Sequence, residues 1–232
     1  MMEAFHWNTP REYRPTLKAL QKARKDPASM KGRILEVARR IFGEYGFHGT
    51  TTRMIAQTVG IDISTLYYHW GEKGDLYEAV VLDIYEDLRE KLIEVEGHIK
   101  GKPLAERLDI AIDEMTDYLF EQPEISNLIL FRYFAKTRHA SPLDFRVPEF
   151  MGSIAYSMGL VPDKAQLPVD AKMKMLAVMN AIHNFVSGEN FFLALLGSEH
   201  EAYVKGVKET LKFILIPAFA RAEKPASAPR PK

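Results

Sequence analysis

Cysteine is absent from the 232 residues, which excludes a disulfide framework, a thiolate nucleophile and any Cys-ligated zinc or iron-sulfur centre. Long apolar runs are missing too. No stretch approaches the ~18 uncharged apolar residues of a spanning helix, and residues 1–15 carry charges and prolines where a secretory leader needs an apolar run. A soluble, cytoplasmic protein is the expectation. The chain also lacks a Gly-x-Ser-x-Gly elbow, a Walker loop and a dinucleotide fingerprint. The Glu-x-x-His spacing that di-metal helical bundles use in pairs occurs once, at Glu3 and His6. No enzymatic activity, cofactor or metal is therefore expected. Sustained alternation, hairpin turn signals and internal repeats are likewise missing, so the fold class is all-α.

What is present is a globular composition, 47% hydrophobic, with 31 Lys and Arg against 31 Asp and Glu. The neutral total hides an asymmetry. Residues 1–75 hold 12 basic and 8 acidic residues, net +4, while residues 76–232 hold 19 and 23, net −4, so a polyanion meets the first third more favourably.

Residues 1–29 form a basic extension containing Arg11, Arg14, Lys18, Lys22, Arg24 and Lys25 and interrupted by prolines, with one short helix over 16–25. From residue 30, Ile34, Val37, Ala38, Ile41, Phe42 and Tyr45 recur at three- and four-residue steps opposite a charged face, which predicts an amphipathic helix ending at Gly46. Thr50 or Thr51 caps a second short helix ended by Gly60, and Asp62 or Ser64 caps a third over 63–70. In that third helix Leu66 and Trp70 face inward while Tyr68 and His69 face away. Two short helices joined by a tight turn and resting on a longer one describe a helix-turn-helix, in which an exposed short helix fits the DNA major groove.

Residues 46–80 contain Gly46-Phe47, Thr50-Thr51, Ile55-Ala56, Gly60-Ile61, Leu66-Tyr67, His69-Trp70 and Lys73 with Leu76. At these spacings the segment resembles the TetR family of bacterial transcriptional repressors, over about fifty residues from 31 to 80. Asp62, Ser64 and Trp70 depart from that pattern, standing where Ser, Gly and Phe are usual. The resemblance implies that Thr51 and Arg53 lie by the DNA backbone, that Ser64, Thr65, Tyr68 and His69 face the groove, and that Tyr67 and Lys73 hold phosphates. The extension then either follows the phosphates or reaches into a minor groove, or it is a solvated arm. The competing reading is a helical protein-interaction module whose degenerate helix-turn-helix does not bind DNA.

Residues 76–222 are expected to form a helical bundle, reached through one long helix over 75–96 and continued by helices over 104–121, 123–138, 145–158, 169–196 and 199–222. Residues 223–232 are a loose tail. The family resemblance implies that this bundle dimerises and binds a small effector, and the binding of that effector is expected to move the protein off a palindromic double-stranded DNA operator. The 169–196 helix is apolar nearly all round, so together with 199–222 it is the expected homodimer interface. Asn180, His183, Asn184 and Ser187 form a polar stripe on it. The stripe either bonds across the dimer, satisfies itself, or orients an effector. Met115, Tyr118, Phe131, Phe134, Met151 and Met179, with His183 and Asn184, are the candidate lining for a small hydrophobic effector, because Met and aromatic side chains adapt to apolar ligands.

Overall fold

The computed structural model describes residues 14–134, 147–158, 161–163 and 167–220. Expectations for residues 1–13, for the end of the helix drawn to 138 and for the tail at 223–232 fall outside the described residues. Within them the chain is helical throughout: α1 (Arg14–Lys25), α2 (Met30–Gly49), α3 (Thr52–Val59), α4 (Ile63–Trp70), α5 (Lys73–Ile99), α6 (Leu104–Glu121), α7 (Pro123–Phe134), α8 (Val147–Ser157), α9 (Val169–Ser187), α10 (Glu189–Leu196) and α11 (His200–Ala220).

Two compact units divide the chain. The first takes in the described residues up to Asp87 together with those of α7 from Phe131, and the second begins at Leu88. The first unit thus extends along α5 beyond residue 75, where composition alone placed the boundary. Ile34, Phe42, Ile55, Leu66, Leu76 and Val80 are fully buried in it. Each such side chain contributes about 1.5–3 kcal/mol relative to exposure, an upper figure given compact unfolded states.

In the first unit α2 starts at Ser29, whose hydroxyl accepts from Gly32 N–H, and its regular course is broken at Gly46, where φ is 67°. The predicted stop is therefore at the predicted residue, followed by one further turn. Thr51 is the cap of α3, its hydroxyl accepting from Met54 N–H at 3.2 Å. Gly60 makes the α3–α4 turn with φ 79°, a left-handed conformation that a side chain would strain. Asp62 occupies the cap position of α4 without a side-chain capping bond; its carbonyl accepts from Thr65 and Leu66 instead. The carboxylate is thus exposed to solvent rather than spent on the helix start.

In the second unit α6 lies against α11. Leu104, Leu108 and Ile112 meet Val178, Tyr203, Val207, Leu211, Leu215 and Phe219 in one buried cluster. The helix expected over 169–196 is not continuous. It breaks at Gly188, which ends α9 and starts α10. A Cβ there would lie 2.4 Å from the Phe192 ring, so the glycine lets that ring fold back beside it. Apolar periodicity continues through the break, which is why the pattern alone reads as one helix.

Candidate nucleic-acid interface

The exposed side of α3 and α4 is built from the core outward. Leu66 and Trp70, four residues apart, are buried, and Trp70 Nε1 donates to Lys31 O at 3.1 Å. Arg33 from α2 donates to Val59 O at 3.2 Å, fastening the end of α3. With α4 anchored on this edge, helical geometry turns Ser64, Tyr67 and Tyr68 outward. Tyr68 is 86% exposed, an unusual setting for a large aromatic side chain. Tyr67 is half exposed, its hydroxyl at 3.5 Å from that of Thr52. Thr65 is half-buried, and Thr51 and Arg53 are exposed beside this surface on α3. Thr51 also serves as the cap of its own helix.

His69 is partly covered. Burial, and then the nearby Lys31 ammonium, push its imidazole pKa below the ordinary histidine value, so at neutral pH it offers one donor and one acceptor rather than a positive charge. Its ring meets that of Tyr68 edge-on at 5.2 Å, giving a joined aromatic and imidazole edge.

Lys73 departs from expectation. Its Nζ donates to Phe47 O at 2.9 Å and Thr50 O at 3.0 Å and sits 4.3 Å from the centroid of the Phe47 ring. Two of its three donors are committed to the α2–α3 turn. The side chain is thus a brace for that turn, and a phosphate could take only the remaining donor.

The candidate effector residues are scattered more widely. His183 is buried, with Nδ1 at 3.0 Å from the Ser126 hydroxyl. Asn180, Asn184 and Ser187 are exposed, and Asn184 donates back to Asn180 O. The four therefore do not form one stripe in a common environment: a 3–4 spacing spans enough of a helix circumference for His183 to turn inward and its neighbours outward. Met151 is buried and Met115, Tyr118 and Met179 are half-buried. Phe131 belongs to the first unit, its ring 3.5 Å from where a Cβ on Gly46 would stand. The side chain of Phe134 lies outside the described residues. Sequence reasoning overlooked Thr116, fully buried with its hydroxyl unpartnered; a lone Thr on an amphipathic helix gives no signal of this.

Glu94, His98 and Glu114 bring ligand-type atoms within 4.8 Å of one another. Lys91 Nζ donates to Glu94 at 2.9 Å and Glu114 at 3.4 Å, so both carboxylates already share an ammonium partner.

Comparison with known proteins places this segment and the fold among known relatives. Residues 34–80 match the family model of bacterial regulatory proteins, tetR family. The chain is 30% identical over 92 residues to the Staphylococcus aureus negative transcriptional regulator of the biofilm operon icaADBC, IcaR, a match over 40% of this chain and 45% of that protein. The chain thus spans about half the length of the curated relatives it matches. Among solved structures, a TetR-like transcriptional regulator from Rhodococcus superposes with a TM-score of 0.54 at 18% identity, covering 83% of this chain and 95% of that one. FadR from Bacillus subtilis, solved in complex with stearoyl-CoA, does so with a TM-score of 0.50 at 16% identity, covering 77% and 96%. At these identities the two structures speak for a shared fold. A helix-turn-helix of matching sequence and spacing on an all-helical chain thus makes residues 34–80 of this protein similar to the bacterial regulatory proteins of the tetR family.

Proposed function

We propose that this chain is a transcriptional repressor that binds a palindromic operator as a homodimer and leaves it when a small hydrophobic effector binds the second unit. The observation that carries the DNA-binding part is the exposure of Tyr68 beside His69 on a short helix whose other edge is fastened through Leu66 and Trp70. A rigid helix presenting donors and an aromatic face fits a major groove. The negative regulator IcaR among its relatives supports repression.

A homodimer is supported by apolar side chains left open on one chain of the second unit: Val169 and Met173 on α9 and Phe213 and Ile214 on α11, each more than half exposed. An isologous pairing of α9 and α11 would cover them. Two recognition helices then need a separation of roughly 34 Å to enter successive major grooves. An effector that prefers another separation releases the protein by its differential affinity, typically 1–3 kcal/mol of coupling, or roughly 5- to 150-fold. The long α5, whose residues belong to both units, is the proposed lever. The effector class follows from Met115, Tyr118, Met151 and Met179, an adaptable apolar set, with His183 as a polar contact. The stearoyl-CoA complex of FadR makes a long-chain acyl thioester the first ligand to try.

Selection of binding sites from random duplex DNA tests the proposal. A palindrome with half-sites one helical turn apart is the expected outcome, followed by release on adding acyl-CoA. Failure to enrich any duplex would overturn the DNA reading, and release by no apolar ligand would overturn the effector reading.

A further inference from the structure

The helix that precedes the matched family segment carries its own binding surface. α1 has the sequence RPTLKALQKARK, with five basic residues and no acidic one. It is held against the first unit by Leu20 and Ala23, 3% and 1% exposed, and it contacts both α2 and the recognition helix α4. Arg24 fixes its far end, with Nη1 donating to Asp83 at 2.7 Å and Asp87 at 2.8 Å on α5, where Arg39 from α2 also pairs with both carboxylates. The helix is therefore a docked element of the unit rather than a trailing arm.

Its outward side is another matter. Lys18, Lys22 and Lys25 are all exposed, and steps of four and three place them on one helical face. No described carboxylate pairs with any of the three. Three unpaired ammonium groups in two turns repel one another, at a cost that a polyanion would remove. The face continues toward the recognition helix. Burial, and then the nearby Lys22 ammonium, push the Lys31 pKa below the ordinary lysine value, and Lys31 Nζ donates to His69 O while lying 4.8 Å from the Trp70 ring centroid. A cationic band thus runs from the last turn of α4 along α1.

We infer that the Lys18, Lys22 and Lys25 face of α1 is a second DNA-contact surface, which grips backbone phosphates flanking each half-site and lengthens the footprint of the recognition helix without adding sequence preference. The occupant is duplex DNA because the band is continuous with the groove-facing edge of α4 and consists of ammonium groups, point charges suited to backbone phosphates. This rests on the proposed operator binding.

The test compares the full chain with the triple variant Lys18→Gln, Lys22→Gln, Lys25→Gln on the selected operator, by fluorescence anisotropy across 50–200 mM salt. If one lysine per protomer contacts phosphate, the slope of log affinity against log salt falls by about 0.9 for each, near two for a dimer, so the affinity lost across that range shrinks about tenfold. Relative affinities for single-base-pair operator variants stay unchanged, and hydroxyl-radical protection retracts at both ends. The arginine triple variant at the same positions retains the wild-type slope. Unchanged slope and footprint in the glutamine variant, with tight wild-type binding, would sink this inference alone. Altered base preference in the glutamine variant would sink it too, because it would place these lysines on base edges. Absence of any DNA binding by the wild-type chain would defeat it together with the operator reading.

Discussion

Tyr68 and His183 show how two residues of similar sequence appearance take opposite roles. Tyr68 sits on an exposed edge whose orientation is set by its neighbours two positions away, Leu66 and Trp70. Tyr68→Ala should therefore leave folding unchanged while weakening operator binding by about 1–3 kcal/mol, the usual worth of a good base contact. A gel shift beside a thermal melt checks this; equal affinity with an unaltered melt would remove Tyr68 from the interface. His183 is buried against Ser126, and burial lowers its pKa to about 4. The unfolded chain binds a proton there near pH 6.5 that the native state refuses. Stability contributed by the neutral imidazole is thus present above pH 6.5 and is lost as pH falls toward 4, amounting to about 3 kcal/mol. Urea unfolding at pH 7, 5.5 and 4.5 should show this fall, and His183→Gln should flatten it.

The elements of the first unit are specified mainly by caps and turns, and here local chemistry predicts well. Thr51 and Gly60 stand where the sequence places a helix start and stop, and α3 begins and ends there; the Ser29 cap of α2 is seen only in the structure. Thr51→Ala removes the acceptor for Met54 N–H and should cost about 1 kcal/mol. Denaturant midpoints would show it, and recovery of most of the loss by Thr51→Ser would tie it to the hydroxyl. Lys73 shows the limit of such reasoning. A lysine at a helix start reads as a phosphate ligand, yet its ammonium bonds Phe47 O and Thr50 O, carbonyls 26 and 23 positions away that no local pattern points to. The break at Gly188 was hidden for a related reason. The Phe192 ring folds back on Gly188 so closely that a Cβ there would stand 2.4 Å from it, a contact that apolar periodicity passes over.

At the scale of the whole molecule, the exposed apolar face of the second unit makes the strongest demand. Phe213 is 80% exposed, and a single chain offers nothing to cover it among the described residues. Light scattering after size exclusion should give about twice the 26.5 kDa chain mass. Phe213→Glu should shift it to the single-chain mass and abolish tight operator binding, since two half-sites must be engaged together. A wild-type monomer that still binds a palindrome tightly would refute the dimer proposal.

The helical class, the stop of α2 at Gly46, the cap of α3 and the inward and outward edges of α4 were legible in the chain because each depends on residues within one or two turns of one another. Hydrophobic period, a hydroxyl three residues before an amide and a glycine after the last apolar position act locally. The brace made by Lys73, the burial of His183 with Ser126 and the docking of α1 through Arg24 on Asp83 and Asp87 were decided only by tertiary structure. Each pairs groups separated by 20 to 60 or so positions, and which polar atom meets which is settled when packing removes water and leaves those atoms no other partner.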